Sequence, residues 1–357
     1  MKTLATRILH TLAALLLLAL AAPRAGAQET GGAVEGVARS AQDGAPLPFL
    51  LVRLLPAAEG GAARQVLTDG AGRYRVAGVP AGEYRLQVEQ IGYERTLSPA
   101  VKIENGATLQ QEIRSAMVPI QLAGLTVRAG GMCLGAAQLA EDPELAALWN
   151  EAKKGADTRR AFDLQYRFTR VLRQDGQARW RFKGPSAIHR ADTTTSEPDS
   201  VLVRQRRRAE DVRENGYGSR RAGFSLRLPD DKELFDDEFL RAHCLEAGVD
   251  RGDGTLGVRF RPLQTPRDRI VIRGTLWVDA ATYQMRRLEV EHVQGTRSIA
   301  RTSVDYDDTA VGGSRLRLPA RGQISGHPGG LVGSALLTGL TADLTYTYTG
   351  FQRVQGR

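Results

Sequence analysis

The chain of 357 residues has only two cysteines, Cys133 and Cys244, and they form no CxxC pair. It also lacks a GxSxG nucleophile elbow, an HExxH helix and a phosphate-cradling glycine loop. These absences exclude the common dithiol, serine-hydrolase, zincin and P-loop chemistries. No cysteine stands near the start, so a lipid-anchored leader is excluded too. The apolar run at 12–20 is too short for a comfortable transmembrane helix.

What is present at the start is an export pattern. Lys2 and Arg7 supply a positive beginning, residues 12–20 the apolar stretch, and Ala25, Gly26 and Ala27 a small-residue cleavage site. Residues 1–27 therefore read as a signal peptide, and the product is expected in the periplasm, at the outer membrane or outside the cell. Losing Lys2, Arg7 and Arg24 lowers the basic count from 49 to 46 against 40 acids, which reduces the net charge from +9 to +6. Export removes nucleic acid as a partner for that charge and leaves anionic envelope surfaces. Arg204, Arg206, Arg207 and Arg208 form the densest basic run and read as the solvated face and end of a strand. In an oxidising compartment the simplest account of Cys133 and Cys244 is one disulfide. Closing a loop of roughly 110 residues is worth on the order of 4 to 5 kcal/mol in the chain-entropy model.

Residues 31–128 read as a first domain of short alternating strands. Asp43 and Gly44 form a turn, Pro46 and Pro48 bracket the next strand, and Asp69, Gly70 and Gly72 make a tight reversal into Tyr74 and Val76. Gly82 helps form the turn that leads to Tyr84, Leu86 and Val88, and Gly92 precedes Tyr93. Turn residues that tolerate or fix the necessary φ, flanked by period-two runs, predict a β-sandwich. Asp69 is expected to bond its own turn. Tyr74, Tyr84 and Tyr93 are expected to cap the sandwich with hydroxyls at the surface, a candidate ligand surface.

The runs GVARSAQDGAPLPFLLVRL and TDGAGRYRVAGVPAGEYRLQVEQIGYE resemble the carboxypeptidase regulatory-like domain, over roughly residues 32–113. The resemblance rests on TDxxGxY, PAGxYxLxV and IGY. It implies a seven-stranded prealbumin-like (transthyretin-like) sandwich of the carbohydrate-binding-like fold group. Such domains also stand in front of TonB-dependent transporters of the bacterial envelope. Their implied roles are structural, interaction or glycan-related, without catalysis.

Residues 129–140 read as a linker and 141–357 as a second, mainly antiparallel β domain. Asp142 and Pro143 form a helix start, and Leu145, Leu148, Trp149 and Ala152 share one face, predicting a short helix near 142–154 that ends at Gly155. A second helix is expected near 230–241 from Leu234, Phe235 and Phe239. Alternation from Phe162 to Phe168 and in later runs, with a turn at 279–282, predicts a large curved antiparallel sheet. One hairpin, GTLWVDAATYQMRRLEV, also resembles the curved sheets that carry lipoproteins across the periplasm, which implies an apolar pocket.

Enzyme chemistry has one candidate. His243 and Glu246 form HxxE, the spacing by which zinc carboxypeptidases present two ligands, with His292 or His327 left to supply a third. Against it, Cys244 lies between the pair, and the chain lacks the strand and helix alternation of such a catalytic domain. Asp305, Asp307 and Asp308 fit no calcium-loop pattern. Glu289 and Glu291 share a strand face but have Arg286 and Arg287 close by to neutralise them. No residue receives a catalytic role, and no cofactor or metal is implied. A membrane barrel is not expected, because the chain behind the front domain is too short for a plug and a large barrel and outward strand positions carry Arg and Glu. The expectation is a noncatalytic exported binding or scaffolding module whose partner is an envelope protein or polysaccharide, with peripheral outer-membrane contact left open. The alternatives are a carrier of apolar ligands and a zinc hydrolase.

Overall fold

The computed structural model describes residues 31–58, 61–118, 133–180, 183–219, 225–230, 232–311, 314–326 and 341–354. The expected leader at 1–27 and the first part of the expected linker, 129–132, lie outside the described residues.

The first domain holds β1 (Gly32–Ser40), β2 (Leu51–Pro56), β3 (Arg64–Leu67), β4 (Arg73–Val79), β5 (Gly82–Glu89), β6 (Thr96–Leu97), β7 (Val101–Ile103), β8 (Thr108–Gln110) and β9 (Ile113–Ser115). β4, β1 and the pair β8 and β9 build one sheet; β3, β2, β5 and the pair β6 and β7 build the other. β8 and β9 both run along β1, and β6 and β7 both run along β5, so each pair is one broken edge. Three lines face four, the seven-stranded arrangement that the resemblance implies. Period two carries it: Tyr74 and Val76 of β4 point inward while Arg73 and Arg75 point out. Val34, Leu50, Val52, Leu54, Leu86 and Val88 fill the space between the sheets.

Asp69 organises its reversal as expected. Its Oδ1 accepts from the N–H groups of Ala71 (2.9 Å) and Arg73 (2.8 Å). Gly72 sits at φ +73°, where an added Cβ would lie 2.6 Å from the Ala38 carbonyl oxygen. Gly92 is also left-handed, at φ +79°, whereas Gly70 and Gly82 have ordinary backbone and serve only as small turn residues.

The second region begins with α1 (Pro143–Gln165), then β10 (Phe168–Trp180), β11 (Lys183–Ser196), α2 (Pro198–Asn215), β12 (Gly218–Ser219), β13 (Ser225–Leu226) and α3 (Asp237–Ala242). There follow β14 (His243–Asp250), β15 (Thr255–Pro262), β16 (Val271–Asp279), β17 (Met285–Gln294), β18 (Arg297–Val311), β19 (Ser314–Gly326) and β20 (Thr341–Arg353). Nine of these strands form one antiparallel sheet in the order β11-β10-β20-β19-β18-β17-β16-β15-β14. The last strand thus inserts between β10 and β19.

α1 corrects the expected helix of 142–154. Its start is as expected, with Asp142 Oδ1 accepting from Leu145 N–H at 3.0 Å and Pro143 at the first position. It continues through Gly155 because Ala156, Ala161 and Phe162 extend the buried face begun by Leu145, Leu148, Trp149 and Ala152. The expected strand around Phe162 is therefore helical up to Gln165. α2 is a second correction: the arginine run is helical, not the end of a strand. Pro198 opens α2 and Gly216, at φ +69°, follows its end. α3, with the 3-10 turn Glu233–Phe235 before it, lies where a helix was expected.

α1 is shared by both regions. On one side Leu145, Leu148 and Trp149 pack into the sheet core with Phe235, Phe260, Ile272 and Leu276. On the other, Phe162 and Ala161 meet Leu51 and Leu67 from the outer face of the sandwich. Polar contacts pin the same joint: Arg53 to Asp157 at 3.0 Å, Leu67 N–H to Gln165 Oε1 at 2.7 Å, and Lys154 Nζ to the Tyr93 carbonyl at 2.7 Å. Cys133 and Cys244 are disulfide-bonded, with Cα atoms 5.2 Å apart, and Leu134 and Leu245 exchange two backbone hydrogen bonds beside them. The linker is thereby fastened to β14.

Candidate functional site

The joint between the two regions leaves a cleft of about 780 Å³. It is framed by the sandwich at Phe49, Gln90 and Tyr93, by α1 at Gly155 and Arg159, and by the second region at Tyr283 and Arg317. Ligand sites favour such junctions between packed units. Phe49 (φ +56°) and Tyr283 (φ +55°) are the non-glycine residues with left-handed backbone among the described residues, and both line this cleft. Each such conformation costs on the order of 1 to 2 kcal/mol and persists only where neighbours overdetermine it.

The neighbours do so. Thr68 Oγ1 accepts from Leu50 N–H at 3.0 Å and donates to the Leu47 carbonyl at 2.5 Å, while Gln90 Nε2 donates to the Pro48 carbonyl at 2.9 Å. These bonds hold the Phe49 reversal. At Tyr283 the expected turn 279–282 is present: Asp279 Oδ1 accepts from the N–H groups of Ala281 (3.0 Å) and Thr282 (2.8 Å), and Arg286 clamps the other oxygen at 2.6 Å. Burial pulls the Asp279 pKa up, but Arg286 and the Thr282 and Ala281 donors outweigh it and hold the carboxyl down to about 2. Burial, with the charge of Glu151 behind it, pushes the Tyr283 phenol up.

The cleft is cationic and partly apolar. Arg317 is 8% exposed; its guanidinium donates to Gln284 Oε1 at 2.9 Å and the Tyr306 carbonyl at 3.0 Å, and pairs with Asp308 at 3.2 Å. Burial lowers its hold on its proton, and the aspartates nearby partly restore it. Arg159 stacks over Tyr306, with 5.7 Å from its guanidinium carbon to the ring centre, and Arg315 is exposed. Met117 (53% exposed) and Val118 (42%) form an apolar rim. Gln90 Oε1 is buried with no hydrogen-bond partner among the described residues. Three arginines thus face one carboxylate, Asp308, beside aromatic and aliphatic surface. Such a site accepts a carboxylate carried on an apolar group.

The residues singled out from sequence are placed differently. Tyr74 and Tyr84 are buried, at 4% and 8% exposure, and their hydroxyls donate to the Gln111 carbonyl (2.7 Å) and the Pro80 carbonyl (2.9 Å). This corrects the expected ligand surface of three tyrosines: Tyr74 and Tyr84 belong to the sandwich core with their hydroxyls already bonded, and of the three Tyr93 lines the cleft at the joint. His243 and Glu246 are also separated. They lie three apart on β14, a strand, so they point to opposite faces. His243 stacks on Phe239 at 3.9 Å inside the core, whereas Glu246 pairs with Arg259 and Arg261 on the other face. On an extended strand this spacing keeps the two side chains from reaching one metal. His292 is buried elsewhere, with Nε2 donating to the Arg227 carbonyl at 2.6 Å, and His327 lies outside the described residues. Among the described residues no group of three metal-ligating side chains converges. Asp305 and Asp308 are taken by Arg287 and Arg317, and Glu289 by Arg287; Arg286 turns to Asp279 instead.

Sequence reasoning missed Phe49, Gln90, Tyr283, Arg315 and Arg317. They come from separate segments, and no local spacing joins them. The lone usable signal was the turn chemistry of Asp279, which fixes the backbone of Tyr283.

The two facing sheets and their turn chemistry define the front part as a β module of a known type. Residues 33–116 match the family model of the carboxypeptidase regulatory-like domain. No curated protein gives a match to the chain. Similar solved structures include the minor pilin of Streptococcus agalactiae (22% identity, 25% of this chain and 45% of that one, TM-score 0.21). Catechol 1,2-dioxygenase of Pseudomonas arvilla matches at 13% identity over 26% of this chain and 53% of that one, TM-score 0.21. The chain therefore spans about half the length of each of these two. A DUF1329 family protein of Desulfovibrio piger matches at 9% identity over 58% of this chain and 94% of that one, TM-score 0.28. TM-scores this low give none of the three any weight for function.

Proposed function

We propose that the chain is an exported, noncatalytic binding module of the cell envelope, and that the cleft between sandwich and sheet seats a segment of a partner protein. One observation carries the reading: both left-handed non-glycine residues line the cleft that has Met117 and Val118 on its rim. Backbone strain held in place by dedicated hydrogen bonds is a mark of binding sites. The excess of arginine favours a partner segment with an acidic residue beside apolar ones. Export rests on the leader pattern of the sequence, and among the described residues no helix is long and apolar enough to cross a membrane.

The test uses the full chain, because α1 is part of both regions. Wild type and the variants Arg315→Glu and Met117→Ser are used to capture proteins from envelope extract, with circular dichroism confirming the fold. The expected result is a protein retained by wild type and lost from both variants. Equal capture by all three would remove the cleft from the function.

The carrier reading has one observation in its favour. Between α1, α2 and the sheet lies a gap of about 320 Å³ that includes Phe168, Val201, Leu318 and Phe351. It lies at the small end of the range for ligand pockets, and Arg170, Asp163 and Lys232 line it as well. An apolar fluorophore that gains intensity on titration with wild type, and not with Leu318→Trp, would favour it.

A further inference from the structure

The face of the nine-stranded sheet turned away from α1 carries a trough of about 670 Å³. The register assembles it in rows across the strands. One row reads Arg259, Thr275, Glu289, Ser303, Gln323 and Thr345, each paired with the next on the neighbouring strand. The next reads Arg273, Glu291, Arg301, Ser325 and Asp343. No apolar side chain interrupts either row. Six strands at about 4.8 Å spacing make the longer row about 24 Å, long enough for an extended polymer.

We propose that this trough binds an acidic polysaccharide, a hydroxyl-rich polymer with spaced carboxylates. Each glutamate of the face holds two arginines: Glu246 takes Arg259 and Arg261, Glu289 takes Arg251 and Arg287, and Glu291 takes Arg273 and Arg301. Pairing fixes the forks in place while leaving their outer N–H groups in water, with Arg301 75%, Arg261 55% and Arg273 51% exposed. Guanidinium forks match carboxylates bidentately. Arg259 Nε is buried with no hydrogen-bond partner among the described residues. Thr275, Ser303, Gln323, Ser325 and Thr345 add donors and acceptors suited to sugar hydroxyls.

The balance of charge selects the polymer. Five arginines line the trough against Glu289, Glu291 and Asp343, an excess of two positive charges. The interleaved carboxylates repel a chain whose charges follow one another with no hydroxyls between them, such as polyphosphate, and accept hydroxyls from a chain whose carboxylates are held apart by sugar rings. This site is distinct from the cleft and does not depend on what the cleft binds.

The test titrates fluorescein-labelled polygalacturonate with the full chain at low salt and reads anisotropy, with neutral dextran and polyphosphate as competitors. Arg273→Ala combined with Arg301→Ala is expected to weaken binding about tenfold or more, as loss of two charge-assisted contacts requires. Gln323→Glu, which adds an exposed negative charge without removing a partner, is expected to weaken it as well; thermal melts confirm that both variants fold. Arg315→Glu, in the cleft, is expected to leave binding unchanged. Absence of binding by wild type, indifference to both trough variants, or competition by dextran or polyphosphate as strong as by unlabelled polygalacturonate would each overturn the proposal.

Discussion

The two regions reach their folds by different routes. In the sandwich, the reversal into β4 is decided within a few residues: Asp69 binds its own turn, and Gly72 takes a left-handed backbone. In the second region the strands are longer, and α1 supplies much of what they pack on. The difference is one of range. A domain built from local turn chemistry is recognisable by motif, while a sheet built on a buried helix takes its shape from contacts far apart in sequence. The joint between them combines both, since Phe162 of α1 rests against Leu51 and Leu67 of the sandwich.

The strongest test of that shared helix is Trp149→Ala. Trp149 is 1% exposed and packs on Phe235 with ring centres 4.6 Å apart. Its truncation is expected to cost about 4 kcal/mol, read by urea unfolding. Sandwich and sheet signals should shift together. If the sandwich melted at its former midpoint, the two regions would be energetically independent and the comparison would lose its joint.

Replacing both cysteines by serine is expected to cost about 3 kcal/mol. The bridge spans 111 residues and fastens the linker to β14, so amide exchange should quicken along β14 and leave β4 and β5 unchanged. Faster exchange in the sandwich would mean that the bridge supports the joint.

Acid separates the regions next, because residues 31–128 contain no histidine. His243 and His292 are held below the ordinary histidine value, by burial first and in spite of their backbone carbonyl partners. The unfolded chain then binds protons that the fold refuses. Stability is complete above about pH 6.5 and falls as pH drops below it, by at most about 1.4 kcal/mol per pH unit for each histidine. Asp69 and Asp279 are shifted down, so their contribution lasts until lower pH, below about 3.9. Lowering the pH from 7 to 5 should therefore reduce the melting midpoint that both regions share, with amide exchange quickening first along β14 and β17, where the two histidines lie; His292→Gln should reduce the slope.

Legibility follows the same division. The seven lines of the sandwich, the Asp142 cap and the turn at 279–282 were readable because their determinants are adjacent in sequence. α2 escaped because its arginines left too few apolar positions for a stripe, although Pro198 and Gly216 marked its ends. The tyrosines misled because period two tells which residues share a face and not whether that face is covered; Tyr74 and Tyr84 are inside. His243 and Glu246 misled for a related reason, since HxxE has its meaning only after helix and strand are distinguished. The cleft was unreadable because its parts come from segments distant in sequence that meet only after packing.

Gly155 gives the smallest effect and the finest discrimination. A glycine inside a helix costs about 1 kcal/mol relative to alanine, so on helix propensity alone Gly155→Ala should stabilise by that amount. An added Cβ, however, would lie 3.0 Å from Ile91 Cδ1, a sandwich side chain that closes over α1 at the edge of the cleft. Ile91 must yield by a few tenths of an ångström, and the gain in propensity is offset by lost packing across the joint. The expected outcome is a midpoint unchanged or slightly lower than wild type, with the deficit recovered when Ile91→Val is added. A clear gain of about 1 kcal/mol for the single variant would show that the sandwich does not press on α1 in solution, and the cleft would then be wider than its framing residues imply.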